Sequence, residues 1–238
     1  KVARSRRSKI ELTAYDDLFE TDVSRAEANL SKIREIPISE IDKFPNYPFK
    51  VLMDEDMEQL IDSVRRIGVM TPAMVRQKED GRYELISGHR RKMACEVIGV
   101  DVLKCEVKEL SRDEAIIVMV ESNLQRSTLL PSEKAFAYKM RLEAMNRQGE
   151  RSDLTSCPVG NKFTSASEVA KEVGDSERQI FRYIRLTELV PEILQMVDEH
   201  QIAFRPAVEI SYLTGEQQYT LLEAMGYNDA TPSLAQAI

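Results

Sequence analysis

The chain has 238 residues, a length that fits one compact domain with a smaller second one. Hydrophobic residues make up 42% and charged residues 31%, and no apolar run approaches the roughly 20 residues of a membrane span, so the membrane and disordered classes are excluded. Because the net charge is -7, bulk electrostatics does not drive nucleic-acid binding, and any DNA binding must come from a local basic patch.

Cysteine and histidine are scarce. Three cysteines, an odd number, fit a reducing cytoplasm without a disulfide framework. We expect Cys95 and Cys105 to be buried small hydrophobic residues and Cys157 to be an exposed bystander. Two histidines, His89 and His200, are too few for a zinc-type cluster and offer poor contexts for a Ser-His-Asp hydrolase.

The N-terminal residues form a basic segment. Residues 1–9 carry five cationic side chains and no acid, and residues 1–34 support no core of their own. We predict a flexible basic arm over 1–34, with a solvated tail as its plainest interpretation. The chain starts at Lys1 instead of Met, so we expect the natural N-terminus to lie further upstream.

Residues 35–128 are predicted to form a small α/β unit. Ordered structure is predicted to begin near Ile36. The proline-rich segment 44–50 must be extended or turning, because proline fixes its own φ and keeps the preceding residue out of the α-helical region. Periodicity, caps and turn signals then predict alternating helices and strands. The predicted elements are a helix from Asp54 to Gly68, strands at 73–77 and 83–87, a helix over 90–98, a strand over 102–107, and a helix over 115–123 after the capping box Ser111 to Glu114.

Residues 129–238 are predicted to be helical, with the domain boundary near Thr128. Pro131 suits the first position of a helix that runs to about Arg147, because its missing N–H would be unpaired there in any case. Residues 149–165 are loop-like by composition.

Within the helical unit, two capping-box patterns stand eleven residues apart, at 165–168 and 176–179. Ala170 is small where two helices would cross, and Gly174 supplies the positive φ of a tight turn. This pattern predicts a helix-turn-helix at about 165–186, with an ordinary helical hairpin as the alternative. Its polar and basic face could read base edges or bind phosphates. The candidate DNA-binding residues are Ser165, Ser176, Arg178, Gln179, Arg182 and Arg185.

In the α/β unit, residues 83–91 run from a strand through Gly88 into a helix start. Amides at such a turn point outward at the positive end of the helix dipole, and Arg90 and Arg91 stand ready to bind an anion. The alternative is two exposed arginines on an amphipathic helix, with the glycine ending a strand.

Several short motifs in a fixed order resemble the ParB/RepB/Noc partition-protein family over about residues 36–215. They are the Ser-Gly-His-Arg-Arg of 87–91, the Asn-Leu-Gln-Arg of 123–126, the Leu-Pro-Ser-Glu-Lys-Ala of 130–135 and the helix-turn-helix, and residues 63–72 also fit a family segment. Within the family the chain looks most like variants carried on plasmids and integrative elements.

The resemblance implies an α+β protein: a ParB/sulfiredoxin-like N-terminal domain followed by an all-helical helix-turn-helix domain. It implies a homodimer that acts as a CTP-dependent clamp on double-stranded DNA, with Mg²⁺ as a cofactor, a ParA-type ATPase as a partner and a place on the nucleoid or a plasmid. The nucleotide-binding residues it implies are Lys50, Thr71, Pro72, Ser87, Gly88, His89, Arg90, Arg91, Asn123, Gln125 and Arg126.

The chain departs from the family pattern in two places. The family's metal-binding Glu before the Asn of the second motif is Ser122 here, so Glu121 and Asn123 are the candidate metal ligands. Lys50 stands where the family has the arginine of a Gln-Pro-Arg segment. Because a serine hydroxyl is a weaker Mg²⁺ ligand than a carboxylate, we expect CTP hydrolysis to be slow or absent.

Two other functions stay open. One is a DNA-binding regulator whose α/β unit is only an interaction module. The other is an enzyme, a sulfiredoxin-like phosphotransferase, because the resemblance extends to that fold. Sulfiredoxin-type chemistry would want a cysteine at the glycine turn, where His89 stands.

Overall fold

A computed structural model describes residues 33–126, 128–152, 161–228 and 231–237. Its sheet has five strands in the order β1-β5-β3-β4-β2. The outer pair β1–β5 and the hairpin β3–β4 are antiparallel, whereas β3–β5 and β2–β4 are parallel. The strands are β1 Ile33–Pro37, β2 Ile41–Asp42, β3 Ala73–Gln77, β4 Tyr83–Ser87 and β5 Val102–Lys108.

Helices pack on both faces of the sheet, and the chain then continues as an all-helical region. Short 3-10 turns occupy Ile38–Glu40 and Leu186–Glu188. The α-helices are α1 Glu55–Ile67, α2 His89–Ile98, α3 Arg112–Leu124, α4 Pro131–Ser152, α5 Asn161–Val173, α6 Glu177–Arg185, α7 Pro191–Asp198, α8 Phe204–Ile210, α9 Gly215–Asn228 and α10 Leu234–Ala237. Helices α1 and α2 pack on one face of the sheet, and α3 packs against Ile86 on the other face. The predicted fold class, a mixed α/β unit followed by a helical region, is confirmed.

Local sequence signals position the helices of the α/β unit. The Asp54 carboxylate accepts a hydrogen bond from the Met57 N–H and begins α1, and Gly68 ends it at a φ of 74°. Ser111 and Glu114 form the predicted reciprocal capping box of α3. These caps satisfy backbone N–H groups that have no partner inside the helix.

Two predicted boundaries are wrong. Residues 33 and 34, placed in the arm, belong to β1, because they pair with Glu106 and Cys105 of β5. The predicted loop 149–165 is shorter, since α4 runs to Ser152 and α5 begins at Asn161. Ser165 therefore lies inside α5 and does not begin it. Serine destabilises a helix interior only slightly, and the buried side chains of Ala166 and Val169 stabilise the helix around it.

Buried residues form connected clusters. One lies between the sheet, α1 and α2 and includes Met57, Val75 and Leu103. Another lies where β4 and α3 meet α4, and two more fill the helical region. Cys95 and Cys105 are buried free thiols, as expected, and burial raises the pKa of Cys105 to about 12.

Other predictions have different outcomes. Residues 1–32 and Cys157 lie outside the described residues, and the domain boundary near Thr128 stays a prediction. Of the helices that the structure describes, none is both long and apolar enough to cross a bilayer.

Candidate functional site

A cavity of about 530 Å³ lies between α1, the loop after it, the start of α2 and the end of α3. That volume is in the range of small-molecule sites. The predicted residues that line it are Thr71, Ser87, Gly88, His89, Arg90, Arg91, Asn123 and Arg126. The sequence motifs around Gly88 and Asn123, more than thirty residues apart, thus meet at one cavity.

Gly88 shapes the floor of this cavity. Its φ of 105° favours glycine, and a Cβ placed there would lie 2.9 Å from the Cβ of Ala73. The backbone can therefore turn sharply from β4 into α2 beside the start of β3. The Gly88 turn offers no side-chain cap, so the first N–H groups of α2 are available at the positive end of the helix. This arrangement suits an anion.

The two arginines at the start of α2 have different roles. Arg90 is partly exposed, and its Nη2 donates to Oδ1 of Asp54 at 3.2 Å. The Nη1 of Arg91 donates to the carbonyl oxygens of Thr71 and Pro72 at 2.6 and 2.5 Å. Burial lowers the pKa of Arg91 from its ordinary value. Arg90 is thus the more accessible cation, whereas Arg91 holds the loop that follows α1.

His89 contributes a ring face. Its imidazole stacks on Tyr47, with ring centroids 3.6 Å apart. Both ring nitrogens are buried and have no hydrogen-bond partner within the part of the chain that the structure describes. Burial, helped by the charges of Arg126, Lys92 and Lys43, lowers the His89 pKa to about 3. The side chain is therefore neutral at pH 7, so His89 brings no positive charge to the cavity, and its backbone N–H at the start of α2 is available to an anion.

The end of α3 forms the opposite wall. Asn123 is buried, its Nδ2 donates to the Met119 carbonyl oxygen at 2.8 Å, and its Oδ1 accepts from the Tyr47 hydroxyl at 3.4 Å. Arg126 lies over the Phe49 ring, with its Cζ 6.0 Å from the centroid. These contacts fix Asn123 firmly and leave Arg126 exposed at the mouth of the cavity.

Three predicted nucleotide-binding residues do not line this cavity. The Lys50 ammonium pairs with Asp198, 3.0 Å away in the helical region. Gln125 lines a second cavity, between α3, α4 and α5. Pro72 meets the site only through its carbonyl oxygen, which accepts from Arg91.

The two candidate metal ligands also separate. Glu121 lines the second cavity, where its Oε1 accepts a hydrogen bond from Nη2 of the buried Arg141 at 2.8 Å. Adjacent residues of a helix point about 100° apart, so Glu121 and Ser122 face different cavities. Ser122 lines the first cavity beside Asn123. Among the described residues, no group of three His, Cys, Asp or Glu side chains is placed to hold a metal ion.

Sequence reasoning missed part of the site. Asp56, Leu60 and Ser63 on α1 line the cavity, and Tyr47 supports His89 from the proline-rich segment. The helical spacing of Asp56, Leu60 and Ser63 places them on one face of α1, but only the tertiary fold shows that this face meets α2.

The second candidate site is the pair α5 and α6. Gly174, with a φ of 77°, makes the turn, and the Ser176 hydroxyl accepts from the Gln179 N–H. Ile180 is buried against Val169, while Arg178 and Arg182 are exposed on the opposite side of α6. This is helix-turn-helix geometry, with a basic outer face on the second helix.

Arg185 is placed differently from the other arginines of α6. Its guanidinium donates to the carbonyl oxygen and hydroxyl of Ser211 and lies 4.2 Å from the Tyr212 ring centroid. It therefore joins α6 to the end of α8. Gln179 is half-buried and Ser176 is an exposed N-cap. The Ser165 side chain lies outside the part of the chain that the structure describes.

Two family models match the chain. Residues 22–124 match the ParB N-terminal domain, and residues 160–231 match the ParB HTH domain. The first range contains the whole cavity except Arg126, and the second contains α6.

The chain is also similar to chromosome-partitioning and nucleoid occlusion proteins. The nucleoid occlusion protein of Listeria monocytogenes serovar 1/2a is 30% identical over 223 residues, which cover 92% of this chain and 69% of that protein. The chromosome-partitioning protein Spo0J of Thermus thermophilus is 32% identical over 167 residues, which cover 70% of this chain and 55% of that protein. The chain thus spans about half the length of the Thermus relative.

Two solved structures of the C-terminally truncated ParB from Caulobacter crescentus are also similar. The complex with the centromeric parS site is 22% identical and has a TM-score of 0.47, covering 86% of this chain and 96% of that one. The complex with CTP-gamma-S is 25% identical and has a TM-score of 0.37, covering 81% and 98%.

Proposed function

The chain belongs to the ParB family, and on that premise we propose that it is a DNA-binding partition or nucleoid protein whose α/β unit binds a nucleoside triphosphate, CTP in preference, as a switch. The observation that carries the nucleotide part is the cavity at the Gly88 turn. It combines free helix-start amides with the accessible cation of Arg90.

The donor set fits a triphosphate. The N–H groups at the start of α2 and the guanidinium groups of Arg90 and Arg126 all line one cavity, and donors of this kind favour polyanions. The α1 side of the cavity is lined by Leu60, Val64 and Met70, which suits the less polar part of a nucleoside.

Magnesium fits only as an ion carried largely by the phosphates. Ser122 and Asn123 at the end of α3 offer neutral oxygens, and the carboxylate that lines the cavity, Asp56, belongs to α1. Mg²⁺ in such sites takes few protein ligands and keeps water and phosphate oxygens. When bound, the ion would neutralise phosphate charge. The residues present supply positioning for the triphosphate but no carboxylate beside Asn123, which supports slow or absent hydrolysis.

The DNA part rests on α5 and α6. The exposed side chains of Arg178 and Arg182 can enter a major groove from the second helix of the pair. A single copy offers few cations in an acidic chain, so the proposal includes a homodimer on paired half-sites. A ParA-type ATPase as partner, and a plasmid or integrative element as host, remain predictions.

The preference for CTP follows the family. The Caulobacter crescentus ParB was crystallised with CTP-gamma-S and with parS DNA, and those ligands are proposed here by kinship. The residues lining the cavity explain the triphosphate and not the base.

The test is calorimetric titration with CTP, UTP, ATP and GTP in the presence of Mg²⁺, with and without DNA carrying a parS site. We expect CTP to bind most tightly and Arg90→Ala to weaken nucleotide binding at least tenfold. Arg65→Ala is the matched control, because Arg65 is exposed on α1, where its guanidinium pairs with Asp62. Absence of binding by any nucleotide, even with DNA, would overturn the switch and favour a DNA-binding regulator.

A further inference from the structure

The proline-rich segment 44–50 touches both the nucleotide cavity and the helical region. At Tyr47 it stacks on His89, which lines the cavity. Three residues later, Lys50 bonds to side chains of α4 and α7. Pro48 has a fixed φ and Phe49 is buried, so the backbone between Tyr47 and Lys50 has little conformational freedom. A displacement of Tyr47 would therefore also move Lys50.

The helical end of this connection is a pair of buried carboxylates at the start of α4. Glu133 Oε2 accepts from the Leu130 N–H at 2.9 Å, and Asp198 accepts from the N–H and hydroxyl of Ser132 at 3.0 and 2.6 Å. Both acids sit at the positive end of the helix, where they satisfy N–H groups without intrahelical partners. Asp198 comes from the C-terminal end of α7, so it also ties α7 to α4.

Lys50 supplies a donor to each carboxylate. Its backbone N–H donates to Oε1 of Glu133 at 2.6 Å, and its ammonium lies 3.0 Å from Oδ2 of Asp198. Because Glu133 and Asp198 are both buried, the ammonium balances charge that would otherwise be poorly compensated. This one residue of the α/β unit thus holds two helices of the DNA-binding unit.

We propose that Lys50 is a positioning residue, a latch that fixes the helical region against the α/β unit and transmits the state of the nucleotide cavity to it through Tyr47. The latch itself is argued from the Lys50 contacts, and the transmission rests on the proposed function. Occupancy of the cavity changes the packing of His89 and Tyr47, and Lys50 carries that change to the first turn of α4.

The test uses two variants that remove the ammonium contact in different ways. Lys50→Met keeps the backbone N–H and the length of the side chain, and Asp198→Asn keeps an acceptor for Ser132. Lys50→Arg should behave as the natural chain. Glu188→Gln is the matched control, because it breaks the Lys139–Glu188 pair inside the helical region without touching segment 44–50.

The first measurement is the distance between spin labels at Val97→Cys on α2 and Tyr219→Cys on α9, both exposed positions, with Cys157→Ser as background. We expect Lys50→Met and Asp198→Asn, alone and combined, to broaden the distribution equally, because both break one contact. A distribution as narrow as that of Glu188→Gln would overturn the latch, whether or not nucleotide binds.

The second measurement is the factor by which DNA changes CTP affinity, which a purely structural contact would not move. We expect this factor to fall at least threefold in Lys50→Met and Asp198→Asn and to be unchanged in Lys50→Arg and Glu188→Gln. Coupling that survives in both variants would overturn the transmission role. If the natural chain binds no nucleotide, the proposed function and the transmission role fail, and the spin-label distances still decide the latch.

Discussion

The imidazole of His89 lies against the phenol ring of Tyr47, with 17° between the ring planes and 3.6 Å between the centroids. The stack buries both rings partly at the edge of the cavity beside the Gly88 turn, where burial raises the Tyr47 pKa to about 12 and lowers the His89 pKa to about 3. Both rings are therefore neutral near pH 7, and each favours the other as an uncharged stacking partner.

The neutral His89 predicts a pH dependence of stability. Between an unfolded pKa near 6.5 and a folded pKa of about 3, the unfolded chain binds a proton at His89 that the folded chain does not. The free energy of unfolding should therefore fall as pH drops below about 6.5, by at most about 1.4 kcal/mol per pH unit from this group. Urea denaturation at several pH values would measure it.

His89→Asn should make that slope shallower between about pH 6.5 and about pH 5. His200→Asn is the control, because His200 is exposed and its positive φ of 60° suits asparagine. An unchanged slope in His89→Asn would show that other groups cause the whole pH dependence.

Gly88→Ala should cost more stability than other glycine substitutions. The variant meets both an unfavourable φ and a clash with Ala73, which together predict a loss of about 2–4 kcal/mol and of nucleotide binding. Gly99→Ala, with a φ of 75° and nothing near its Cβ, should lose only about 1 kcal/mol. Chemical denaturation compares the two, and equal losses would show that the approach to Ala73 has no consequence.

Arg90→Ala and Arg91→Ala should differ in kind. Arg90 is accessible, so its loss should lower nucleotide affinity at least tenfold (about 1.4 kcal/mol) and leave stability nearly unchanged. Arg91 bonds two loop carbonyls, so its loss should also lower the free energy of unfolding by about 1–3 kcal/mol. Calorimetry and thermal denaturation separate the effects. A stable Arg91→Ala protein with lost affinity would instead favour direct contact with the ligand.

Arg178→Ala and Arg185→Ala test the DNA interface. Arg178 is exposed on α6, and its loss should cost about 1–3 kcal/mol on specific DNA and relax base preference. Arg185 is bonded to Ser211, so its loss should destabilise the helical region and weaken binding to all sequences. Fluorescence anisotropy on specific and random DNA is the measurement. Equal losses on both DNAs for Arg178→Ala would assign that side chain to the phosphates.

Ser122→Glu and Glu121→Ala test the proposed magnesium binding. Ser122→Glu places a carboxylate beside Asn123 and should raise CTP turnover, because Mg²⁺ favours anionic oxygens. Glu121→Ala should leave nucleotide affinity unchanged and lower stability by about 1–3 kcal/mol, since Arg141 loses a charge-assisted bond. Phosphate release from the three proteins decides it. Brisk hydrolysis by the natural chain that collapses in Glu121→Ala would identify Glu121 as a metal ligand.

Local patterns predicted much of the α/β unit. Strands 73–77 and 83–87, the caps at Asp54 and Ser111 and the turn at Gly88 all depend on neighbouring residues, and the structure has them where predicted. The start of α5 was wrong because a Ser-x-x-Glu pattern begins a helix only if the preceding residues are not already helical.

Local sequence patterns do not predict the long-range contacts. Lys50 and Asp198 are 148 residues apart, and their pairing depends on how α4 and α7 meet. The family resemblance predicts that Lys50 binds the nucleotide, whereas in the structure Lys50 contacts Glu133 and Asp198 of the helical region. The Tyr47–His89 stack likewise depends on where the proline-rich segment crosses α2, which no local pattern records.

The helix α4 contributes to three different cores. Its Ala137 and Ala144 pack with α3 and β4, its Tyr138 and Leu142 pack with α5 and α6, and its Ala135 packs with the C-terminal helices. A chain with a core shared in this way unfolds cooperatively across the shared helix, since losing α4 uncovers every face at once. A fragment ending near Thr128 would expose to water the apolar side of α3 that packs on α4, so we expect it to be prone to aggregation and the two sequence-defined units to unfold together.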